Sequence, residues 1–259
     1  MSEPCVLIDA ADSSLTTITL NRPDKRNALS VQLMEELHEA VLAASQEPQR
    51  RVLILRGNGP AFCAGLDLRE ASIPGGSERS AHALADLYKA ICLCPLITIA
   101  AAQGAVLGGG VGLLSACDLV VAADNVQIGF PEVRRGLVAA LVTALVRRQL
   151  SDRVLRELVL LGQTLSAAEA LAINLVNRVV PAARLMDETM AIAKEAMCGA
   201  PGAIARTKQL LDDLQSCPVA MELDRALEYH LKARVAAEAV EGIAAFLEKR
   251  EPRWGPRPE

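Results

Sequence analysis

The stretch Gly104-Ala105-Val106-Leu107-Gly108-Gly109-Gly110-Val111-Gly112 constrains this chain more than any other. It follows an apolar, strand-like run over residues 96–102 and leads into Leu113-Leu114-Ser115-Ala116. Consecutive glycines between a strand and a helix let the backbone turn tightly and approach a ligand without Cβ interference. The first amides of such a helix are unpaired and lie at the positive end of its dipole, so the turn can hold an anion. That anion is either a phosphate or an oxyanion that exists only during a reaction. Close packing of a helix on a strand is the other use of the same glycines.

Motif spacing narrows the phosphate option. No Gly-x-x-x-x-Gly-Lys-Ser/Thr is present, which excludes a P-loop. Gly-x-Gly-x-x-Gly also fails, because the third glycine falls on Leu113 in one register and on Ser115 in the other. A dinucleotide fold would further need a ribose-binding acid and alternating parallel units near the N-terminus, whereas this turn sits mid-chain.

At 259 residues the chain suits one large domain, or a domain with an appendage. Hydrophobic residues make up 51% but aromatics only 2%, so the core is built from Ala, Leu, Val and Ile. So few aromatic rings, with a net charge of −4, argue against nucleic-acid binding as the main task. The seven cysteines (5, 63, 92, 94, 117, 198 and 217) are odd in number and lack a Cys-x-x-Cys, which favours reduced, mostly buried thiols. His38, His82 and His230 are scattered without metal-type spacing, and no Gly-x-Ser-x-Gly elbow occurs; no metal is expected. The N-terminus has no basic lead and the apolar runs are broken by Gly, Asp or Arg. The expectation is a cytoplasmic protein without a membrane span, with an organellar leader removed by processing left open.

Residues 5–9 and 15–20 read as a hairpin, and Ser30 as the N-cap of a helix through about residue 45. Residues 51–56 supply another strand, and a helix over 80–91 precedes the run at 96–102. Short strands are expected at 118–122, 126–130 and 175–180. Beyond Ala139 the pattern is helical, with a capping box at Ser166-Ala-Ala-Glu169 and a helix opening at Pro201. This is α/β architecture: a core over 1–197 and a C-terminal helical region over 198–259.

Two more segments complete a constellation. Phe62-Cys63-Ala64-Gly65-Leu66-Asp67-Leu68 follows a strand and a Gly-rich turn. Phe130-Pro131-Glu132-Val133-Arg134-Arg135-Gly136-Leu137 places an acid at a strand end. Together with Asn21-Arg22-Pro23-Asp24-Lys25-Arg26-Asn27-Ala28-Leu29 and the glycine turn, this order resembles the crotonase family, also called enoyl-CoA hydratase/isomerase. The resemblance runs nearly the whole chain, to Phe246-Leu247-Glu248-Lys249-Arg250.

The resemblance implies a crotonase-like spiral of ββα units, with C-terminal helices that make trimer contacts, and trimers that often pair into hexamers. It implies acyl-CoA thioester substrates and no prosthetic group, coenzyme A being part of the substrate. The thioester oxygen would be held by the backbone amides of Leu66 and Gly109, and Glu132 would be the acid/base carboxylate. Lys25 matches a position that contacts the CoA phosphates; Arg26 lies beside it, near Ala28, and Ala64, Gly65 and Asp67 fall in the loop along CoA. Lys249 and Arg250 could reach a neighbouring subunit's CoA. Ile73, Leu84, Leu87, Gly112 and Leu137 are candidate acyl-pocket residues.

The departure is at Gly112, where many family hydratases carry a second glutamate. Hydration of a 2-enoyl-CoA by Glu132 alone is the first expectation. Δ3,Δ2-isomerisation, for which one carboxylate suffices, is the second, and a weakly catalytic CoA-binding scaffold is the third.

Overall fold

The computed structural model describes residues 3–73 and 75–254. The strands are β1 (Val6–Asp9), β2 (Leu15–Leu20), β3 (Val52–Gly57), β4 (Ile97–Ala102), β5 (Ala105–Leu107), β6 (Leu119–Ala123), β7 (Gln127–Gly129), β8 (Thr164–Ser166) and β9 (Arg178–Val180). The helices of the first half are α1 (Val31–Gln46), α2 (Leu68–Ala71), α3 (Gly76–Cys92) and α4 (Gly109–Ala116). Those of the second half are α5 (Ala140–Val146), α6 (Asp152–Leu161), α7 (Ala167–Ala172), α8 (Leu185–Ala196), α9 (Pro201–Asp213), α10 (Val219–Arg234) and α11 (Ala237–Glu248).

Sequence chemistry fixes the elements that carry the site. The Ser30 hydroxyl accepts from the Leu33 amide and starts α1, whose buried stripe includes Leu33, Met34, Leu37 and Val41. The capping box at Ser166 and Glu169 forms and starts α7. Six strands make one sheet in the order β1-β2-β3-β4-β6-β9, parallel except for the β1–β2 hairpin. Its central strands are buried on both faces, as parallel strands covered on each side must be. Leu53, Leu55, Ala100 and Ala102 face the main core, while Val52, Ile54, Ile99 and Ala101 pack against Leu185, Ile192 and Ala193 of α8.

A second sheet, β5-β7-β8, corrects the reading of the glycine turn. Residues 104–112 are not one strand-to-helix turn. Ala105–Leu107 leaves the first sheet and pairs in parallel with Gln127–Gly129, and only then does α4 begin. Gly104, at φ +57°, makes the change of direction, and a Cβ there would overlap the Pro60 carbonyl.

The 197/198 boundary falls between α8 and α9. The helices beyond it are not detached from the core. Arg148, just after α5, pairs with Asp212 of α9 at 2.5 Å and with Glu222 of α10 at 3.1 Å. The apolar side of α10, including Val219, Leu223 and Ala226, joins the main core. All seven cysteines are free, four of them buried, and Cys198 is exposed. Among the described residues, no helix is long and apolar enough to cross a membrane.

Candidate active site

The loop after β3 is stitched between two neighbours. Leu29 N–H donates to the Gly65 carbonyl at 2.8 Å, and Asp67 N–H donates to the Leu29 carbonyl at 3.0 Å. In a parallel bridge of this kind the residue between the two bonds turns its own N–H away from the partner. That residue is Leu66, bridged to Leu29. On its free side stands the first turn of α4: a Cβ at Gly109 would lie 3.6 Å from the Leu66 nitrogen. Gly109 is the first residue of α4, so its N–H has no intrahelical acceptor. Among the described residues neither the Leu66 nor the Gly109 N–H has a hydrogen-bond partner. Two adjacent free amides at a helix start can polarise one oxygen.

Glycine is needed here for space as well as for conformation. Gly108 has φ +49°, and a Cβ there would stand 2.9 Å from Glu132 Oε1. At Gly110 a Cβ would meet the Cys63 carbonyl oxygen at 2.3 Å. The loop and the helix therefore touch through bare backbone.

Glu132 lies in the 3-10 turn Pro131–Arg135, which Pro131 opens and Gly136 closes in the left-handed region. Its Oε2 is buried and unpartnered among the described residues. Burial raises the carboxyl pKa to about 7, against a smaller opposing pull from its own backbone N–H and from Arg135. A carboxyl poised near neutrality can both take and return a proton.

Glu132, Ala64, Gly65, Leu66, Gly109, Leu84 and Leu137 all line one cleft. An outer groove shares Ala64, Leu66, Leu68 and Arg135 with it and is lined further by Lys25, Arg26, Ala28, Asp67, Arg69 and Lys249. Cations outnumber acids there, which suits phosphate groups. Asp67 is also held by Arg22 at 3.1 Å. Arg135 stacks on Phe246 of α11 at 4.1 Å and so ties the last helix to the mouth.

Three expected pocket residues are not brought into the cleft. Ile73 ends up 60% exposed beyond α2, because that helix lasts only one turn and releases the chain to the surface. Leu87 is fully buried in the main core on the inner side of α3. Gly112 is sealed off: a Cβ on it would stand 2.0 Å from the Tyr88 hydroxyl. The phenol of Tyr88, wholly buried, fills the space into which a side chain at 112 would project.

Sequence reasoning missed several residues that shape the site. Tyr88 donates to the Gly109 carbonyl at 2.7 Å and pins the first turn of α4. Asn27, with φ +55° and no exposure, donates from Nδ2 to the Asn58 and Ala61 carbonyls and accepts from Arg22 N–H. Asparagine tolerates that left-handed backbone, which was the available signal. His230 and Arg234 reach the cleft from α10.

A family model described as enoyl-CoA hydratase/isomerase matches residues 10–257, and the chain belongs to that family. It is 33% identical over 258 residues to the mitochondrial enoyl-CoA hydratase domain-containing protein 3 of Danio rerio, covering 95% of this chain and 89% of that one. It is 34% identical to a carnitinyl-CoA dehydratase of Escherichia coli, covering 94% and 95%. The crystal structure of an enoyl-CoA hydratase from Mycobacterium avium superposes with a TM-score of 0.85 at 32% identity, over 98% of this chain and 100% of that one. The two-sheet core with a C-terminal helical region is therefore the crotonase fold, and the chain is an enzyme of the hydratase or isomerase type.

Proposed function

We propose that the enzyme adds water to a 2-enoyl-CoA, using Glu132 as its only carboxylate. Glu132 takes a proton from a water molecule while the water oxygen bonds to C3. The electron pair of the C2–C3 double bond moves onto the thioester oxygen, and the amides of Leu66 and Gly109 hold the resulting enolate. Glu132 then returns the proton to C2. A single well-placed donor of this kind is worth about 2.7–4 kcal/mol. The observation that carries the proposal is the Glu132 carboxyl, its Oε2 buried and unpartnered among the described residues, in one cleft with two free amides.

The nucleotide end of CoA would lie in the outer groove, where Lys25, Arg26, Arg69 and Lys249 offer cations. The apolar side chains left outside on the C-terminal helices, among them Leu211, Leu214, Met221 and Val240, support assembly as a trimer or hexamer. Light scattering of the purified protein measures that state directly.

Isomerisation is the second reading, favoured by the same packing of Tyr88 over Gly112 that rules out an acid from that position. There Glu132 would carry a proton from C2 to C4 without water. Mass spectrometry decides between them on a panel of straight, branched and carboxylated 2-enoyl- and 3-enoyl-CoAs. Gain of one water supports hydration, a double-bond shift at constant mass supports isomerisation, and no turnover across the panel leaves a CoA-binding scaffold.

A further inference from the structure

One corner of the cleft carries a charge that the proposed chemistry does not use. His230 and Arg234 lie one helical turn apart on α10, so both side chains point the same way. Each is only 7% exposed, and both line the cleft that holds Glu132. Arg234 Nε donates to Ser77 Oγ of α3 at 2.8 Å. Its two terminal nitrogens, Nη1 and Nη2, are buried with no partner among the described residues, and so is His230 Nε2.

Among the described residues no carboxylate pairs with the guanidinium. Burial alone pulls the Arg234 pKa down, and no carboxylate opposes it. Burial, with a smaller push from Arg234, takes His230 down to about 4, so the imidazole is neutral near pH 7 and offers no counter-charge. An arginine that is buried, unpaired and short of hydrogen bonds is costly to keep unless a ligand completes it.

The geometry states which ligand. Ser77 takes the Nε–H of the planar group, so the Nη1/Nη2 edge, buried and unpartnered among the described residues, is the fork left to match the two oxygens of a carboxylate. The rest of this wall is apolar, formed by Leu84, Leu137, Leu141 and Val142. A neutral fatty tail would leave the buried guanidinium unpaired. We propose that the acyl chain of the substrate is short and ends in a carboxylate bound end-on by Arg234, making the substrate an ω-carboxylated 2-enoyl-CoA. The proposal rests on the reading that the thioester sits at Leu66 and Gly109.

Titration calorimetry with saturated, unreactive thioesters tests it without depending on turnover. Glutaryl-CoA and adipyl-CoA are compared with pentanoyl-CoA and hexanoyl-CoA. The intact enzyme binds the dicarboxylic thioesters at least about tenfold more tightly, and Arg234→Met brings the two sets to within about twofold. Removal of an uncompensated buried charge leaves the melting temperature of the free enzyme unchanged or higher. Arg234→Lys, which keeps the cation but not the fork, folds under the same packing and loses most of the preference.

Equal affinities in the intact enzyme overturn the proposal, as does a preference that survives Arg234→Met. A lower melting temperature with loss of the oligomer in that variant also overturns it, since Arg234 would then be paired across a subunit contact. Hydration assays separate this from the preceding reading. Tight binding of dicarboxylic thioesters without turnover of any enoyl-CoA removes the hydratase. Turnover of neutral and carboxylated enoyl-CoAs at equal kcat/KM keeps the hydratase and removes the role of Arg234.

Discussion

The two walls of the cleft are made of different material. One wall is backbone: Leu66 and Gly109 offer amides, and Gly108 and Gly110 let the chains come close enough to do so. The other wall is side chains from α3, α5 and α10, among them Leu84, Leu141, His230 and Arg234. Main-chain donors cannot change rotamer, so under the proposed mechanism the first wall is preorganised for charge that develops at one oxygen. The second wall can change with each substitution without disturbing the first. On the proposed reading, the division places oxyanion stabilisation in the backbone and selectivity in the side chains.

Glu132 belongs with the backbone wall, and its removal gives the largest expected effect. Glu132→Gln lowers kcat at least about 100-fold with little change in KM, read by steady-state hydration kinetics. With the carboxyl pKa at about 7, kcat/KM of the intact enzyme climbs as pH rises through that value, because the ionised form is the base. Stability moves the opposite way. Between the ordinary value of 4.5 and about 7 the folded protein holds a proton that the unfolded chain has released, so stability declines as pH rises through that window. Calorimetry across pH 4 to 8 detects the decline in the intact enzyme and its absence in Glu132→Gln.

Gly110→Ala comes next. The new methyl group would stand 2.3 Å from the Cys63 carbonyl, a contact with backbone that no rotamer relieves. The expected loss is about 1–3 kcal/mol in urea denaturation, accompanied by lower kcat as α4 moves off Leu66. Tyr88→Phe sharpens the same point from the other side. It removes the side-chain hydrogen bond that pins the Gly109 carbonyl, costs about 0.5–1.5 kcal/mol, and lowers kcat more than it raises KM. The smallest effect belongs to the exposed outer groove. Lys25→Ala raises KM about two- to fivefold, more at low salt, and leaves kcat unchanged.

How legible the molecule was in its sequence follows the same division. Strands β1, β2, β3, β4 and β6 of the first sheet match the sequence reading to within a residue, since apolar runs such as residues 51–56 carry their own signal, whereas β9 begins three residues later than the expected 175. Strand β5 was not read, because its three residues pair with β7, which lies about twenty positions along the chain, and have no periodicity of their own. Glycine at 108, 109 and 110 announced a place where backbone must come close. The side-chain wall announced nothing. Tyr88 sits in an ordinary amphipathic helix, and only the depth of α3 against α4 makes it the cover over Gly112. Arg234 closes α10 after Leu231-Lys232-Ala233 and reads as a solvated cation at a helix end, where the dipole favours one. Tertiary packing alone turned it inward.

The most direct measurement is the infrared stretch of a carbonyl-labelled 2-enoyl thioester bound to Glu132→Gln, with the free ligand as reference. Two amides converging on the oxygen weaken the C=O bond, so the band falls to lower frequency on binding. A bound thioester whose band does not move would contradict the account.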